Sequence, residues 1–290
     1  MGFHWGTPFL KALIPESSFS QLQTVQTDPH TPTKPIDTFK FLNGATGDLI
    51  VSHQMPDFHR LRRSKLRALL IKDLDVRWNK RIQSIIYSAD GQSVTAIFED
   101  GEQVTGRLII GVDGARSTVR KLLLGPEHGE CKRLPYTATF VQSKHTREQA
   151  LFLRSFHPLY LGAAHPANQF ALFGLQDAPQ PDKPEDWTFF YYISWPSSIE
   201  EHDAERKTYG QKERLEQVKE FGKKFIDPWK SVFEWVQDEK FVFNHALTFW
   251  DPREEGHNWD NKNGRITLAG DAAHAMTYRT SIPSFAAFIL

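Results

Sequence analysis

Two stretches of the chain repeat one grammar: an apolar run that ends at an aspartate beside a glycine and passes straight into the start of a helix. In RLIIGVDGARSTVRKLLLG the apolar run Leu108–Val112 ends on Asp113 and Gly114, and in RITLAGDAAH a second run ends on Gly270 and Asp271. A run apolar on both faces is the signature of a strand in a parallel sheet. A strand-turn-helix junction then delivers its polar groups to the carboxyl edge of that sheet, where ligands of open α/β folds bind. Two such junctions restrict the chain to a mixed α/β (α+β) architecture with a candidate ligand site at the turns.

The details of each junction support a binding turn. Gly114 permits tight backbone approach, Ser117 can cap the following helix, Val119 and Leu122–Leu124 face inward, and Gly125-Pro126 ends it. At the second junction, small Ala272 and Ala273 let a helix start close against a ligand. The Asp271 carboxylate can accept hydrogen bonds from sugar or polyol hydroxyls, while a helix start favours a nearby diphosphate. Taken singly, each is also the ordinary chemistry of a turn.

Thr7-Pro8 offers a capping hydroxyl before a proline suited to a first helical turn, and Pro15 stops the segment Phe9–Ile14. Strands Thr38–Leu42 and Asp48–Ser52 flank a hairpin turn at Asn43-Gly44. Residues 61–74 carry a helical apolar stripe surrounded by Arg60, Arg62, Arg63, Lys65 and Arg67, a basic set that reads either as a solvated face or as phosphate contacts. Arg81–Tyr87, Ser93–Phe98 and Gln103–Gly111 form a meander around Asp90-Gly91 and Asp100-Gly101. From Pro135 to Pro196 aromatic and β-branched runs predict a separate, mainly antiparallel sheet. Its aromatic stretch from Trp187 to Trp195 serves as sheet core or lines a pocket. Two helices follow, with stripes Leu215, Val218, Phe225 and Trp229, Val232, Phe233, Val236.

Charge narrows the partners. Thirty-five basic residues balance thirty-five acidic ones, leaving no field to draw nucleic acid or an anionic membrane, so a small molecule is the expected partner. The single cysteine, Cys131, excludes an intrachain disulfide, and His128 beside it lacks the further ligands of a zinc site. No run approaches the ~18 apolar residues of a spanning helix, and the first residues lack signal-peptide character, so a cytoplasmic location is expected. Neither GxSxG, HExxH nor a P-loop occurs.

Together and in this order, GVDGARSTVR resembles the Asp-Gly motif and RITLAGDAAH the Gly-Asp motif of FAD-dependent monooxygenases of the aromatic-hydroxylase family, related to para-hydroxybenzoate hydroxylase. RRSKLRALL is similar to that family's Arg-x-x-Leu helix start, and FHWGTPFLKALIP resembles members from fungal secondary metabolism, so that the likeness spans roughly residues 3–278. The resemblance implies FAD as cofactor and NAD(P)H as co-substrate, with hydroxylation or epoxidation of an aromatic or polyketide-like molecule through a flavin hydroperoxide. It implies that Asp271 holds the ribityl chain. Asp113 lies by the diphosphate and ribose side, and Arg63, with Arg62 as the rival alignment, contacts the same region. Gly114, Gly270 and Ala272 complete the cofactor-binding set, and no catalytic side chain is assigned. His274 is read as a packing residue rather than a base. The implied organisation is an FAD-binding segment over 1–130, a substrate domain over 131–250, and a second FAD-binding segment with the Gly-Asp motif over 251–290.

The family pattern begins with a strand, a GxGxxG turn and a helix, and no such fingerprint occurs here. The expected Rossmann-like domain is therefore incomplete, lacking its first βαβ unit and leaving unpaired strand edges. After GDAAHAMTY the text departs from the family again, and Pro283 in RTSIPSFAAFIL would break the expected helix. An altered reading frame or misplaced splice boundary is the expectation that would explain both ends at once. Two expectations follow: an FAD-dependent monooxygenase, or a catalytically incompetent family remnant with weak or no FAD binding.

Overall fold

The computed structural model describes residues 2–4 and 6–277, a mixed α/β chain. The elements used below are, in the first half, β1 (Ile36–Asn43), β2 (Leu49–Pro56), α1 (Arg63–Leu70), β3 (Ile82–Tyr87), β4 (Val94–Phe98), β5 (Gln103–Gly106), β6 (Ile109–Gly111) and α2 (Thr118–Gly129). The second half adds β7 (Lys132–Ser143), α3 (Arg147–Phe156), β8 (Tyr160–His165), β9 (Gln169–Asp177), β10 (Thr188–Pro196), α4 (Ile199–Thr208), α5 (Gln211–Gly222), α6 (Trp229–Glu234), β11 (Phe243–Phe249), β12 (Ile266–Leu268) and α7 (Asp271–His274). The helix break at Pro283 and the apolar tail lie outside the described residues. No helix among the described residues is long and apolar enough to cross a membrane.

The chain divides into two compact units, Met1–Asp75 with Tyr136–His245, and Val76–Pro135 with Ala246–Leu290. These boundaries differ from the three segments drawn from the sequence. The reason is the β1–β2 hairpin, which joins the sheet of the middle segment: Phe41 pairs in parallel with Gly162 of β8. The result is a seven-stranded sheet of order β11-β7-β10-β9-β8-β1-β2. Its pairings from β7 through β8 are antiparallel, as is the hairpin itself.

Strand alternation sorts the aromatic run of β10 onto two faces. Phe189, Tyr191, Ile193 and Trp195 join the core formed with Ala150 and Leu153 of α3, Leu215 and Val218 of α5, and Trp229, Val232 and Phe233 of α6. Phe190 and Tyr192 point to the opposite face. Helices α3 and α4 were not anticipated, although each starts with a capping box, Thr146/Gln149 and Ser198/Glu201. Thr7 is not a cap, that position being taken by Gly6. It is the first helical residue of Thr7–Leu13, and its hydroxyl donates to the Asp57 carbonyl.

Within the core face, the Nε2 atom of His145 lies against the Tyr191 hydroxyl and 3.0 Å from the Ser143 hydroxyl. Burial lowers this imidazole to about 4.

In the second unit the expected meander is present as β3-β4-β5. The predicted strand Gln103–Gly111 splits at Arg107-Leu108, and its second half, β6, pairs in parallel with β12 through Ile109–Ile266 and Gly111–Leu268. The parallel arrangement matches the expectation; burial on both faces does not. Ile266 and Leu268 pack with Val119, Ala272 and Ala273 on one side, whereas Ile110 is 52% and Val112 70% exposed. Among the described residues β6 has β12 as its one sheet neighbour.

One fully buried side chain ties this unit together. The Arg120 guanidinium, on α2, donates from Nε to the Gly129 carbonyl at 2.9 Å, from Nη1 to the Ala272 carbonyl at 2.9 Å and the Asp271 carbonyl at 3.3 Å, and from Nη2 to the Ala115 carbonyl. Cys131 Sγ lies 3.3 Å from Nη2 and itself donates to the Ala115 carbonyl, and the Trp250 ring lies 4.8 Å from the guanidinium carbon. Gly125, at a φ of +78°, breaks α2 so that Gly129 can return to this group.

Replacing Arg120 by methionine keeps the bulk but strips these carbonyls of their donors, which should cost about 3–5 kcal/mol. Urea unfolding followed by circular dichroism checks this. His145 makes a second test. The unfolded ring binds a proton near pH 6.5 and the folded one only near 4, so its contribution is present above pH 6.5 and is lost as pH falls towards 4. His145→Gln should flatten that part of the acid loss, measured as the difference in denaturation midpoint between variant and parent at about pH 7 and about pH 4.5.

Candidate functional site

Both aspartate turns lie in the second unit, at the carboxyl ends of the neighbouring strands β6 and β12. They are chemically unlike. The Asp113 carboxylate is occupied by its own helix: Oδ1 accepts from the Ser117 hydroxyl at 2.5 Å, and Oδ2 from the amides of Thr118 at 2.7 Å and Val119 at 3.1 Å. Ser117 in turn accepts from the Arg120 amide at 2.9 Å, the capping role expected of it. Gly114 turns the chain at a φ of +83°, with open space where a Cβ would stand.

Asp271 opens α7 and is exposed, and its carboxylate has no hydrogen bond or ion pair among the described residues. Only its backbone carbonyl is engaged, by Arg120. Gly270 precedes it at φ +59° and ψ −144°, a conformation reserved to glycine, again with nothing within 4 Å of a built Cβ. Ala272 turns its methyl group into the core, so the residue can offer a ligand its backbone amide but not its side chain. His274 is exposed, which excludes the packing role expected for it. The second turn thus presents a free acceptor beside bare backbone at a helix start, and the first braces the adjoining helix.

In the first unit the basic cluster separates into committed and free members. Arg62 Nη1 and Lys65 Nζ sit 3.2 Å and 2.8 Å from the two carboxylate oxygens of Asp177. Arg63, the first residue of α1, is exposed and pairs with nothing among the described residues. The Arg62/Arg63 ambiguity therefore has a physical asymmetry that composition alone does not carry.

The sheet face opposite the helices is paved with rings. Tyr160, Gly174 and Phe190 form one transverse row across β8, β9 and β10, and Phe41, Gly162, Leu172, Tyr192 and Phe140 form the next. Ring centroids stand 4.6 Å apart between Phe39 and Tyr160, 5.9 Å between Phe41 and Phe170, and 5.9 Å between Phe140 and Phe190. Across the first row lies Arg60, 8% exposed, with its guanidinium carbon 5.8 Å from the Tyr160 centroid and 5.1 Å from that of Phe190. Burial lowers its pKa to about 10, so it remains a cation at neutral pH. Neither Arg60 nor Arg120 was singled out as a buried group from the sequence. The available signal was an arginine set between apolar neighbours, in FHRL and in TVRKLLL.

Residues 45–280 match the family model described as an FAD binding domain. The chain is 34% identical over 277 residues to the FAD-dependent monooxygenase cctM of Talaromyces islandicus, covering 96% of this chain and 66% of that protein. It is 33% identical to the FAD-dependent monooxygenase dbaB of Emericella nidulans, covering 94% and 69%. The chain thus spans about two thirds of the length of these relatives. Among solved structures, Klebsiella pneumoniae HpxO complexed with FAD and uric acid shares the fold at a TM-score of 0.67 and 14% identity, over 96% of this chain and 64% of that one. The 2,6-dihydroxypyridine-3-hydroxylase of Arthrobacter nicotinovorans does so at 0.63 and 16%, over 95% and 67%. With the family model across most of its length and relatives of this identity along nearly all of it, the chain belongs to the family of FAD-dependent monooxygenases.

Proposed function

We propose that the protein carrying this chain binds FAD and uses NAD(P)H and O2 to hydroxylate or epoxidise an aromatic or polyketide-like small molecule. The observation that carries the reading is the free carboxylate of Asp271 beside the open backbone of Gly270, held at the strand ends by Arg120. These residues fit a cofactor with a polyol chain: an unpaired acceptor takes its hydroxyls, and a glycine without obstruction admits it to the backbone. When bound and reduced, FAD supplies the oxygen transfer.

The chain's own residues have positioning roles. Asp271 accepts a ribityl hydroxyl, while Gly270 and the Ala272 amide line the approach. Asp113 acts at one remove, by holding the start of α2 and the Gly114 turn in place. Arg63 is assigned to the phosphates on the family's pattern, supported by its lack of a partner among the described residues. The ring-paved face of the first unit is assigned to the substrate, where it orients a planar molecule and excludes water. On this assignment the second unit supplies the polyol contact, while the first supplies Arg63 and the substrate face. A cytoplasmic setting is proposed with it, supported by the single free cysteine.

Adding FAD to the purified chain and removing the excess by gel filtration should leave a yellow protein. Asp271→Ala should lose the colour while melting at the parent temperature, because its carboxylate holds nothing else among the described residues. Asp113→Ala should instead destabilise α2 by about 1–2 kcal/mol by leaving the Thr118 and Val119 amides and the Ser117 hydroxyl without their acceptor, and loosen the flavin only in proportion. A parent chain that stays colourless would sink the enzyme reading and leave the non-catalytic one. With a yellow protein, NADPH consumption across a panel of phenols and aromatic acids tests the reaction.

A further inference from the structure

Arg60 is a buried cation in a setting built for something else. Its guanidinium lies across two aromatic rings, pairs with no carboxylate among the described residues, and is only marginally open to solvent. Aromatic faces offset part of the cost of burying a cation but leave its N–H donors in need of acceptors. Other partly buried arginines of this unit do not share this state: Arg62 has Asp177, Arg154 has Asp28, and Arg214 has Glu205.

The surroundings specify what would complete it. Gly174 separates Tyr160 from Phe190 in the row beneath Arg60, and a Cβ there would stand 2.7 Å from the Phe190 ring and 2.6 Å from the Leu159 carbonyl. The glycine thus lets both rings close beneath the guanidinium. In the adjacent row, two residues along each strand and hence about 7 Å away, Leu172, Tyr192 and Phe140 are only half-buried. A flat apolar platform therefore lies one ring-length from an unpaired cation.

Resting on the reading that this face takes the substrate, we propose that Arg60 is its specificity-determining residue and selects a planar aromatic molecule bearing an acidic oxygen, a carboxylate or an ionised phenol. The ring lies on Leu172, Tyr192 and Phe140, and the anionic oxygen accepts hydrogen bonds from the guanidinium. Neutral analogues of the same shape retain the stacking and lose the ion pair.

Two probe pairs test this by calorimetric titration of the FAD-supplemented chain: 2-hydroxybenzoate against 2-hydroxybenzamide, and 1-hydroxy-2-naphthoate against its amide. The parent should bind each acid about tenfold or more tightly than its amide, the advantage of a charge-assisted bond. Arg60→Leu should bring the acid down to the amide while leaving the amide unchanged, and Arg60→Lys should fall between. If the leucine variant does not fold, the parent labelled with 15N-arginine still decides: the Nε–H signal that is missing from Arg60→Lys should shift with the acid and not with the amide. Equal binding of acid and amide by the parent, or an unmoved Arg60 signal, overturns the role of Arg60 while the aromatic face stands. Binding of neither member of either pair overturns both.

Discussion

The second unit depends on a single guanidinium. Strands of three residues and a helix of four cannot hold a turn in place through their own hydrogen bonds, yet the two aspartate turns need fixed positions to act on anything. Arg120 supplies this by reaching carbonyls on both sides, Ala115 beyond the first turn and Asp271 and Ala272 beyond the second. The guanidinium is planar and its donors are set at fixed angles, so the group acts as a gauge as well as an attachment. The cost of burying its charge is offset by four carbonyls, a thiol and an indole face. The main-chain loop from Gly125 to Gly129 exists in this form because that group must be satisfied from behind.

What was legible in the sequence was what neighbouring residues decide. Gly114, Gly125 and Gly270 each announce a backbone turn, and each has the positive φ that such a turn requires. The hairpin of β1 and β2 was legible as well, although its positive φ falls at Gly47 and not at Gly44; its destination was not, since the pairing of Phe41 with Gly162 joins distant segments by a parallel contact without any local signal. The site followed the same division. Asp113 and Asp271 share one motif grammar, and nothing local says that one carboxylate is consumed by its own helix while the other stays open. Arg62 and Arg63 are adjacent and identical in type, and a carboxylate more than a hundred residues away distinguishes them.

The long aromatic run of β10 was ambiguous because both faces of its sheet are apolar, for different reasons. Tyr191 and its alternates are enclosed by helices, whereas Phe190 and Tyr192 belong to the ring pavement of the opposite face. Glycines make the pavement possible. Gly162 and Gly174 weaken their strands as any mid-strand glycine does, but a Cβ at Gly162 would stand 2.5 Å from the Phe41 ring. Bare backbone at these points lets large rings lie flat, so the face gains planarity in return for lost strand propensity.

The outer side of β6 has a consequence for handling as well as for architecture. Leu108, Ile110 and Val112 form an exposed apolar row beside a strand edge that has no sheet partner among the described residues. Such an edge is a template for any extended segment, another copy of the chain included. Colloidal behaviour in concentrated solution would therefore be governed by a strip of three side chains rather than by the evenly balanced charge of the whole surface, and ionic strength would be a poor lever on it compared with a single lysine placed in that row.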